Sequence, residues 1–361
     1  MSYVQAAPKA ELHVHLEGAI QPETLLTLAR RNGVELPTNT IDGIRNWIAY
    51  RDFDHFIELF RTACRCLRTG DDFELAAYEL GSDLARQGVR YAEVTFSASV
   101  HHHLNNVPQA AYFDGLARGR ARALADFGIE LAWIFNIVRQ WKDGSQVVPL
   151  ADHTTTISIE GKEIGVVALG LAGAEAGAPP EPFAPWFERA RAAGLHSAPH
   201  AGEHGGADSV WGAIRALGAE RIGHGVRAIE DPALVAYLAA HRIPLDVCPL
   251  SNVRLGVAPS LAAHPLPQLL AAGVTLTLNS DDPSLFNTSL SDDYATLIEP
   301  FNLSVAQIDE ILLNGFRSAF LPADRKAALV ADVQRQLAAL KLEHLGPQSS
   351  PWKMALDPQL E

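Results

Sequence analysis

The feature of this chain that most constrains its fold is a repeated alternation of short apolar runs, rich in β-branched residues, with longer stretches of helical period. Each run has the length and composition of a buried strand. The eight runs are Glu11–Leu16, Arg90–Phe96, Glu130–Ile137, Gly165–Leu171, Ser197–Ala201, Arg221–Val226, Pro244–Cys248 and Val274–Asn279. Strands that alternate with helices form parallel β/α units. The pattern therefore predicts an α/β protein built as a (β/α)8 barrel.

Residue types at the expected helix ends agree with this pattern. Pro22 begins a helical stretch that ends near Gly33, with proline early and glycine late. Ser304 and Gln307 predict a capping box at the start of a C-terminal helical region. We expect residues 1–345 to form a single barrel domain that includes these C-terminal helices. Residues 346–361 are rich in Pro, Ser and polar residues and predict an extended tail.

Polar segments follow or lie within several of the predicted strands, in a fixed order along the chain. They are His13-Val14-His15, His200-Ala201-Gly202-Glu203, Gly223-His224-Gly225 and Asn279-Ser280-Asp281-Asp282. Barrel enzymes place their catalytic residues at the carboxyl ends of the strands. A catalytic divalent ion needs imidazoles or carboxylates from several elements, with one coordination position left open. The segments together indicate a metal-dependent hydrolase.

The spacing of two residues puts His13 and His15 on the same face of a strand, where both can bind one ion. His200 would add a third nitrogen and Asp281 an anionic oxygen. The remaining polar residues of these segments, which are Glu203, His224 and Asp282, are then available as acid, base and hydrogen-bonding groups. Considered alone, His13 and His15 could be ordinary strand histidines, and Asp281 could belong to a turn. The four segments in order favour the metal site.

These segments resemble those of the adenosine deaminase family of the amidohydrolase superfamily, from Pro8 to about Tyr294. Further segments that resemble family signatures are Gly170-Leu171-Ala172-Gly173-Ala174-Glu175, Arg221-Ile222-Gly223-His224-Gly225-Val226 and Cys248-Pro249-Leu250-Ser251-Asn252. The resemblance implies a (β/α)8 barrel enzyme that hydrolytically deaminates a 6-aminopurine. It also implies one zinc ion per chain, with the ligands His13, His15, His200 and Asp281.

The resemblance further implies a role for each remaining site residue. Glu203 would deliver a proton to N1 of the purine, which requires that Glu203 be protonated when substrate arrives. His224 would orient or deprotonate the attacking water, and Asp282 would contact N7. The backbone of Gly173 would face N3, and Glu17 would approach the ribose 5′-hydroxyl. His15 and Asp282 would thus lie against the substrate as well as in or beside the metal site.

Departures from the family pattern bear on the substrate. Glu17 stands where the best-known adenosine deaminases have Asp, and Gly170 stands where they have Asp before Leu-Ala-Gly. A longer carboxylate changes the reach at the sugar end, which makes a 5′-modified adenosine plausible. The branch of the family that acts on free adenine tends to carry Asp where this chain has Gly223, which speaks against the free base.

We therefore predict deamination of a purine nucleoside, with adenosine as the family default. The main competitor is 6-aminodeoxyfutalosine, a menaquinone precursor with a bulky benzoate at its 5′ end. Adenine deamination and a non-catalytic nucleoside-binding relative are weaker alternatives, since every ligand and proton-transfer group is present. Two-metal amidohydrolase chemistry usually needs a bridging Lys or Glu on a middle strand. The fourth predicted strand, through Gly173, has neither, which favours one metal ion.

Composition limits the partners and the compartment. The net charge of −13 argues against a nucleic-acid or anionic-membrane surface, so the expected partner is a small molecule. The chain begins with no leader-like segment and contains no apolar run long enough to span a bilayer, which predicts a cytoplasmic protein. Cys64, Cys66 and Cys248 form no disulfide or zinc-knuckle pattern, and this fits a reducing compartment. We predict that His101-His102-His103 lies in a mostly solvated loop after the second strand.

Overall fold

The computed structural model describes residues 3–139 and 147–346 of the 361-residue chain. Its strands are β1 Lys9–His15, β2 Val89–Phe96, β3 Glu130–Val138, β4 Val166–Ala172, β5 His196–Ser197, β6 His200–Ala201, β7 Ile222–His224, β8 Leu245–Val247 and β9 Leu276–Leu278. Neighbouring strands are parallel throughout, in the orders β1-β2-β3-β4-β5 and β6-β7-β8-β9. All eight predicted strand positions are therefore occupied, the fifth by β5 and β6 together.

The helices lie between the strands and after β9. They are α1 Tyr3–Ala6, α2 Pro22–Asn32, α3 Ile41–Ile48, α4 Phe53–Cys66, α5 Gly70–Arg86, α6 Ala98–Asn105, α7 Gln109–Phe127, α8 Val147–Glu160, α9 Ala184–Ala192, α10 Ala207–Leu217, α11 Pro232–His241, α12 Pro249–Arg254, α13 Leu266–Ala271, α14 Pro283–Phe286, α15 Leu290–Phe301, α16 Val305–Ser318 and α17 Ala323–Leu345. Short 3-10 turns span Glu17–Ala19, Gly161–Ile164, Glu181–Phe183, Val226–Glu230 and Leu261–Ala263.

The predicted fifth strand is interrupted at Pro199, which has no N–H to donate to a ladder. The ladder continues on either side of the interruption. The Ala198 N–H donates to the Leu169 carbonyl (3.1 Å), and the Gly223 N–H donates to the Pro199 carbonyl (3.0 Å). β5 and β6 therefore occupy one strand position of the barrel together.

The barrel closes where the end of β1 meets the segment after β9. The Asp281 N–H donates to the His13 carbonyl (3.0 Å), and the His15 N–H donates to the Asp281 carbonyl (2.8 Å). Asp281 has a positive φ of 64°, a conformation in which Asp and Asn are less disfavoured than most residues. The predicted (β/α)8 barrel is confirmed. We call the junction between β1 and the segment after β9, where the first and last strand positions meet, the seam.

Buried charged side chains connect several strands inside the barrel. The Arg221 guanidinium, fully buried at the start of β7, donates to Glu93 Oε2 and to Asp246 Oδ2, each at 2.5 Å. Thr277 Oγ1 donates to the other Asp246 oxygen (2.7 Å), and the Phe320 ring lies 4.2 Å from the guanidinium carbon. A paired, hydrogen-bonded charge is tolerated in such an interior, whereas a lone one would be costly. The network fixes strands from both halves of the barrel relative to one another.

The predicted helix ends are also confirmed. Pro22 is the first residue of α2, and Gly33 caps it with a φ of 64°. Ser304 and Gln307 form the capping box of α16. Apart from Gly346, the predicted C-terminal tail lies outside the described residues. Within the described ranges, no helix has the length and apolar character needed to cross a membrane.

Candidate active site

Imidazole and carboxylate groups converge at the carboxyl ends of the strands, around the seam. The Nε2 atoms of His13 and His15 each lie 3.3 Å from Asp281 Oδ1. His15 Nε2 also lies 3.2 Å from Nε2 of His200, the first residue of β6. Ser251, from the segment after β8, donates its hydroxyl to Asp281 Oδ2 (2.6 Å) and so helps to fix that carboxylate. The fold brings together all four residues that the sequence predicted as metal ligands.

The spacing of these atoms suits a zinc ion. Tetrahedral ligands at about 2.0–2.1 Å from zinc lie roughly 3.3 Å from one another, which is close to the three separations above. Buried His13 Nε2 makes no hydrogen bond among the described residues beyond its 3.3 Å contact with Asp281 Oδ1. Ring nitrogens of His15 and His200 that face each other need a proton or a cation between them. The donor set therefore fits a divalent metal ion.

Burial sets the protonation of two of the proposed histidine ligands, His13 and His200. It lowers the pKa of His13 to about 4 and holds the pKa of His200 well below its ordinary value. Burial also opposes protonation of His15, but the neighbouring Asp282 and Asp281 carboxylates raise the pKa of His15 to about 9, so metal binding there would displace a proton. Burial opposes ionisation of Asp281, but its contacts with His13 and His15 hold the pKa of that carboxyl well below its usual range. Neutral imidazoles and an ionised carboxylate are the forms in which these groups bind metal ions.

His224, at the end of β7, is oriented by a chain of hydrogen bonds that begins at a backbone amide. The Leu266 N–H donates to His264 Nδ1 (3.1 Å), so the hydrogen of this buried neutral imidazole is on Nε2. His264 Nε2 donates to Asn252 Oδ1 (3.1 Å), and the Asn252 amide nitrogen donates to His224 Nδ1 (3.3 Å). Neutral His224 therefore carries its hydrogen on Nε2.

That Nε2 atom faces the proposed reaction centre. It lies 3.6 Å from Glu203 Oε1 and 4.0 Å from Asp281 Oδ2. One nitrogen or oxygen atom from each of His224, His13, His200 and Asp281 lies within 4.8 Å of the others. In this tautomer His224 is a hydrogen-bond donor toward the centre, which suits orientation of a water molecule better than removal of its proton.

Asp282 lies beside the proposed ligands, with Oδ1 buried and unpartnered among the described residues. Burial and the neighbouring Asp281 charge hold the pKa of Asp282 well above its usual range. A neutral carboxylic acid can donate a hydrogen bond to a ring nitrogen. A Cβ added at Gly18 would lie 1.7 Å from Asp282 Oδ1, so the absence of a side chain at Gly18 gives Asp282 its position.

A buried carboxylate shapes the loop that carries Glu203. Glu175 accepts the backbone N–H of Gly202, Glu203, His204 and Gly205 at 2.6–3.0 Å and the hydroxyl of Ser209 at 2.5 Å. Although burial opposes ionisation, these donors hold the pKa of Glu175 below its usual range. Glu203 Oε1, at the edge of the centre, has no hydrogen-bond partner among the described residues. Glu175 thus positions the proposed proton donor without touching the centre.

The stretch around His101 corrects one sequence-based prediction. His101 is not in a solvated loop, because α6 begins directly after β2 and turns His101 into the protein, where it is fully buried. Its ring stacks on Phe96 at 4.9 Å, and its Nε2 lies 3.0 Å from Glu17 Oε1. The same Glu17 oxygen accepts the Ser97 N–H (3.0 Å), whereas Glu17 Oε2 is buried and unpartnered among the described residues.

Asn136 occupies the space left by the absence of a side chain at Gly170, the other departure from the family pattern. Asn136 is aligned with Gly170 across β3 and β4, and a Cβ at Gly170 would lie 1.8 Å from Asn136 Oδ1. Both polar atoms of the Asn136 side chain are buried without a partner in the described part of the chain. Gly173, at the end of the same strand, has a φ of 92°, which glycine adopts most readily.

Two further histidines flank His200 in the sequence, and the fold separates them. Nδ1 of His204 lies 3.3 Å from Glu203 Oε2, so this ring contacts the proposed proton donor. His196 instead pairs with Glu220 (2.8 Å) and stacks on Phe320. His196 is therefore remote from the strand ends that carry the centre.

Residues 8–336 match the family described as adenosine deaminase. This chain belongs to the adenosine deaminase family. It is accordingly an enzyme of hydrolytic C–N deamination, as its relatives' names also indicate. It is 38% identical over 341 residues to aminodeoxyfutalosine deaminase of Streptomyces avermitilis, covering 94% of this chain and 93% of that protein.

A second relative within the adenosine deaminase family carries a different name. The chain is 38% identical over 330 residues to adenine deaminase of Cupriavidus necator, covering 91% of this chain and 92% of that protein. A solved structure of an amidohydrolase from Burkholderia ambifaria, with bound Zn, matches with a TM-score of 0.85 and 27% identity. That match covers 96% of this chain and 94% of the other.

Proposed function

We propose that this deaminase acts on a 6-aminopurine nucleoside with a large 5′ substituent, for which 6-aminodeoxyfutalosine is the specific candidate. Adenosine, the family default, is the runner-up. The observation that carries the proposal is the Oε2 atom of Glu17, a buried acceptor just after β1 that has no hydrogen-bond partner among the described residues. The name of the Streptomyces avermitilis relative gives independent support.

A sugar hydroxyl would satisfy that acceptor. Glu17 Oε1 is already held by Ser97 and His101, so Oε2 has a fixed position and can accept a hydrogen bond from a ligand. Leaving a buried carboxylate oxygen unpaired is unfavourable, which gives a nucleoside an advantage over a base that lacks the sugar.

The surface beside Glu17 is apolar. A small cavity of about 10 Å³ is lined by Glu17 and by Ile20, Leu25, Trp47 and Leu59, among others, so these apolar side chains lie beside the carboxylate. Its described lining contains no Lys or Arg. Such a surface suits the aromatic or alkyl part of a 5′ substituent, and it supplies no positive charge for a phosphate or for the benzoate carboxylate, which would have to lie beyond it.

Gly223 bears on the free-base alternative, which the name of the Cupriavidus necator relative raises. A Cβ at Gly223 would lie 2.7 Å from His13 Cε1, so the His13 ring occupies the space of an Asp side chain there. In this chain the Asp typical of the adenine branch would therefore require the His13 ring to shift. This arrangement supports a nucleoside substrate.

The chemical roles follow from the geometry. A divalent ion held by His13, His15, His200 and Asp281, which we propose to be zinc, would lower the pKa of water and favour attack on C6. Glu203 would deliver a proton to N1, and His224 would donate Nε2–H to the attacking oxygen. Protonated Asp282 would donate to N7, and the Gly173 backbone would face N3. Transfer of the remaining O–H proton to the 6-amino nitrogen then releases ammonia and leaves the 6-oxo, N1–H product, and Glu203 regains its proton from the next water molecule.

Substrate comparison with a Glu17 variant tests this proposal. We expect kcat/KM to be highest for 6-aminodeoxyfutalosine, lower for adenosine and lowest for adenine. Glu17→Gln should reduce kcat/KM for both nucleosides by about 10- to 100-fold and change that for adenine little. Glu35→Gln, at an exposed position, is the matched control. Highest activity on adenine, or an equal loss on all three substrates, would refute the nucleoside assignment.

A further inference from the structure

A cluster of three imidazoles lies outside the proposed deaminase centre. His102 and His103 are adjacent on α6, and His153 reaches them from α8, in the next β/α unit. The ring centroids of His153 lie 4.4 Å from His102 and 5.3 Å from His103, and those of His102 and His103 are 4.8 Å apart. One ring nitrogen of each lies within 4.8 Å of the other two. The fold thus completes a set that the adjacent histidines alone do not form.

We propose that His102, His103 and His153 form a second metal site, which binds a divalent transition ion such as zinc. Three imidazoles are a common protein contribution to zinc coordination, with water in a fourth position. Nitrogen ligands of this kind also suit copper, nickel and cobalt, whereas calcium and magnesium prefer oxygen. His102 and His153 are half-buried and His103 is exposed, so ions and water can reach the cluster.

The contacts of the individual rings support metal binding. His102 Nδ1 lies 3.3 Å from the Val107 carbonyl, so it carries the hydrogen and leaves the Nε2 lone pair for an ion. Metal-binding histidines commonly have such a contact to a backbone carbonyl. His153 Nε2 is buried with no hydrogen-bond partner in the described ranges. A bound ion would satisfy it.

Within the described part of the chain, the three rings lack carboxylate partners. No carboxylate forms an ion pair with any of the three rings. Ring stacking between His102 and His153 accounts for their proximity but leaves the buried His153 nitrogen unsatisfied. A metal ion accounts for both observations.

Metal stoichiometry of the untagged full-length protein tests the second site. After equilibration with zinc and removal of unbound ion, elemental analysis should give one equivalent more in the parent than in His153→Gln or His102→Ala. His241→Ala, which removes an exposed histidine of α11, should match the parent. Equal zinc content in the parent and both cluster variants would overturn the proposal.

A spectroscopic measurement separates loss of the site from loss of the fold. Copper(II) bound at the cluster should show electron paramagnetic resonance couplings to several imidazole nitrogens, and His153→Gln should remove that signal. The circular dichroism spectrum and Tm of the variant should equal those of the parent. A copper signal that persists unchanged in a folded His153→Gln protein would exclude this cluster. Neither measurement depends on which purine the deaminase accepts.

Discussion

At the scale of single residues, proton delivery and metal binding are assigned to different carboxylates. Glu203→Gln should retain the metal ion and lower kcat by about 10²- to 10⁴-fold, because the proposed proton donor is lost. Asp281→Ala should instead lower zinc content, since it removes a proposed ligand. Steady-state kinetics and elemental analysis measure the two effects. Near-normal turnover in the first variant, or full zinc content in the second, would contradict the corresponding assignment.

The tautomer of His224 is a second property of single residues. Asn252→Ala would remove the donor to His224 Nδ1 and allow either ring nitrogen to carry the hydrogen. We expect kcat to fall by roughly 10- to 100-fold at unchanged zinc content, as for other contacts that orient catalytic groups. Asn39→Ala, at an exposed position, is the control. Unchanged kcat in Asn252→Ala would show that this contact does not set the tautomer.

His264 links the same contacts to acid stability. Burial lowers its pKa to about 4, whereas an unfolded histidine titrates near 6.5. Below pH 6.5 the unfolded chain therefore binds a proton that the folded protein excludes, and stability falls as pH decreases toward 4. The loss at pH 5 should be about 2 kcal/mol relative to neutral pH. Urea unfolding of the parent and of His264→Gln at both pH values measures this loss of unfolding free energy. The variant should lack the part of the loss that comes from His264. An identical pH dependence in the two proteins would show that His264 does not contribute to acid destabilisation.

His101 shows which side-chain properties the sequence did not predict. Three consecutive histidines after a strand read as polar and solvated, but a helix rotates successive side chains by about 100°. The fold buries His101 against Phe96 and Glu17, leaves His102 half-buried and exposes His103. The helix that begins at Ala98 decides this difference; Ser97 stands at its N-cap, but the Ser97 side chain makes no capping hydrogen bond.

At the scale of elements, the strands were predictable because each is a short β-branched run between helical segments. The interruption of the fifth predicted strand between β5 and β6 was not predicted, although Pro199 within that run is the residue that explains it. The motif order placed His13, His15, His200 and Asp281 together, because parallel strands end at one face of a barrel. Contacts such as Glu175 with the Glu203 loop join distant segments, and a single sequence gives no direct indication of them.

The loop after β6 is the element whose shape depends most on one side chain. Glu175→Gln would replace an ionised acceptor of four backbone N–H groups with a neutral amide. We expect kcat to fall at least about tenfold and Tm to decrease, because charged acceptors bind such donors more strongly. Kinetics, zinc content and thermal unfolding measure this, with exposed Glu181→Gln as control. Equal kcat and Tm in Glu175→Gln and the parent would show that the loop holds its shape without this charge.

At the scale of the whole molecule, the barrel could be predicted because its pattern recurs eight times and its motifs occupy corresponding strand ends. The substrate class depends on finer features, chiefly the Glu17 carboxylate held by His101 and the space beside Gly223. The residue types at these positions are visible in the sequence. Their packing partners follow from the fold, which is why the structure adds most at the sugar end of the proposed pocket.

At the seam, closure of the barrel and affinity for the metal ion are thermodynamically coupled. Asp281 completes the ring with its backbone and belongs to the proposed ligand set with its side chain. Bound zinc should therefore slow hydrogen–deuterium exchange of the His15 and Asp281 amides more than exchange elsewhere in the barrel, and chelation should reverse this protection. Equal exchange at these amides with and without zinc would show no coupling. By reciprocity, a substitution that weakens the seam should raise the zinc dissociation constant even when it touches no ligand.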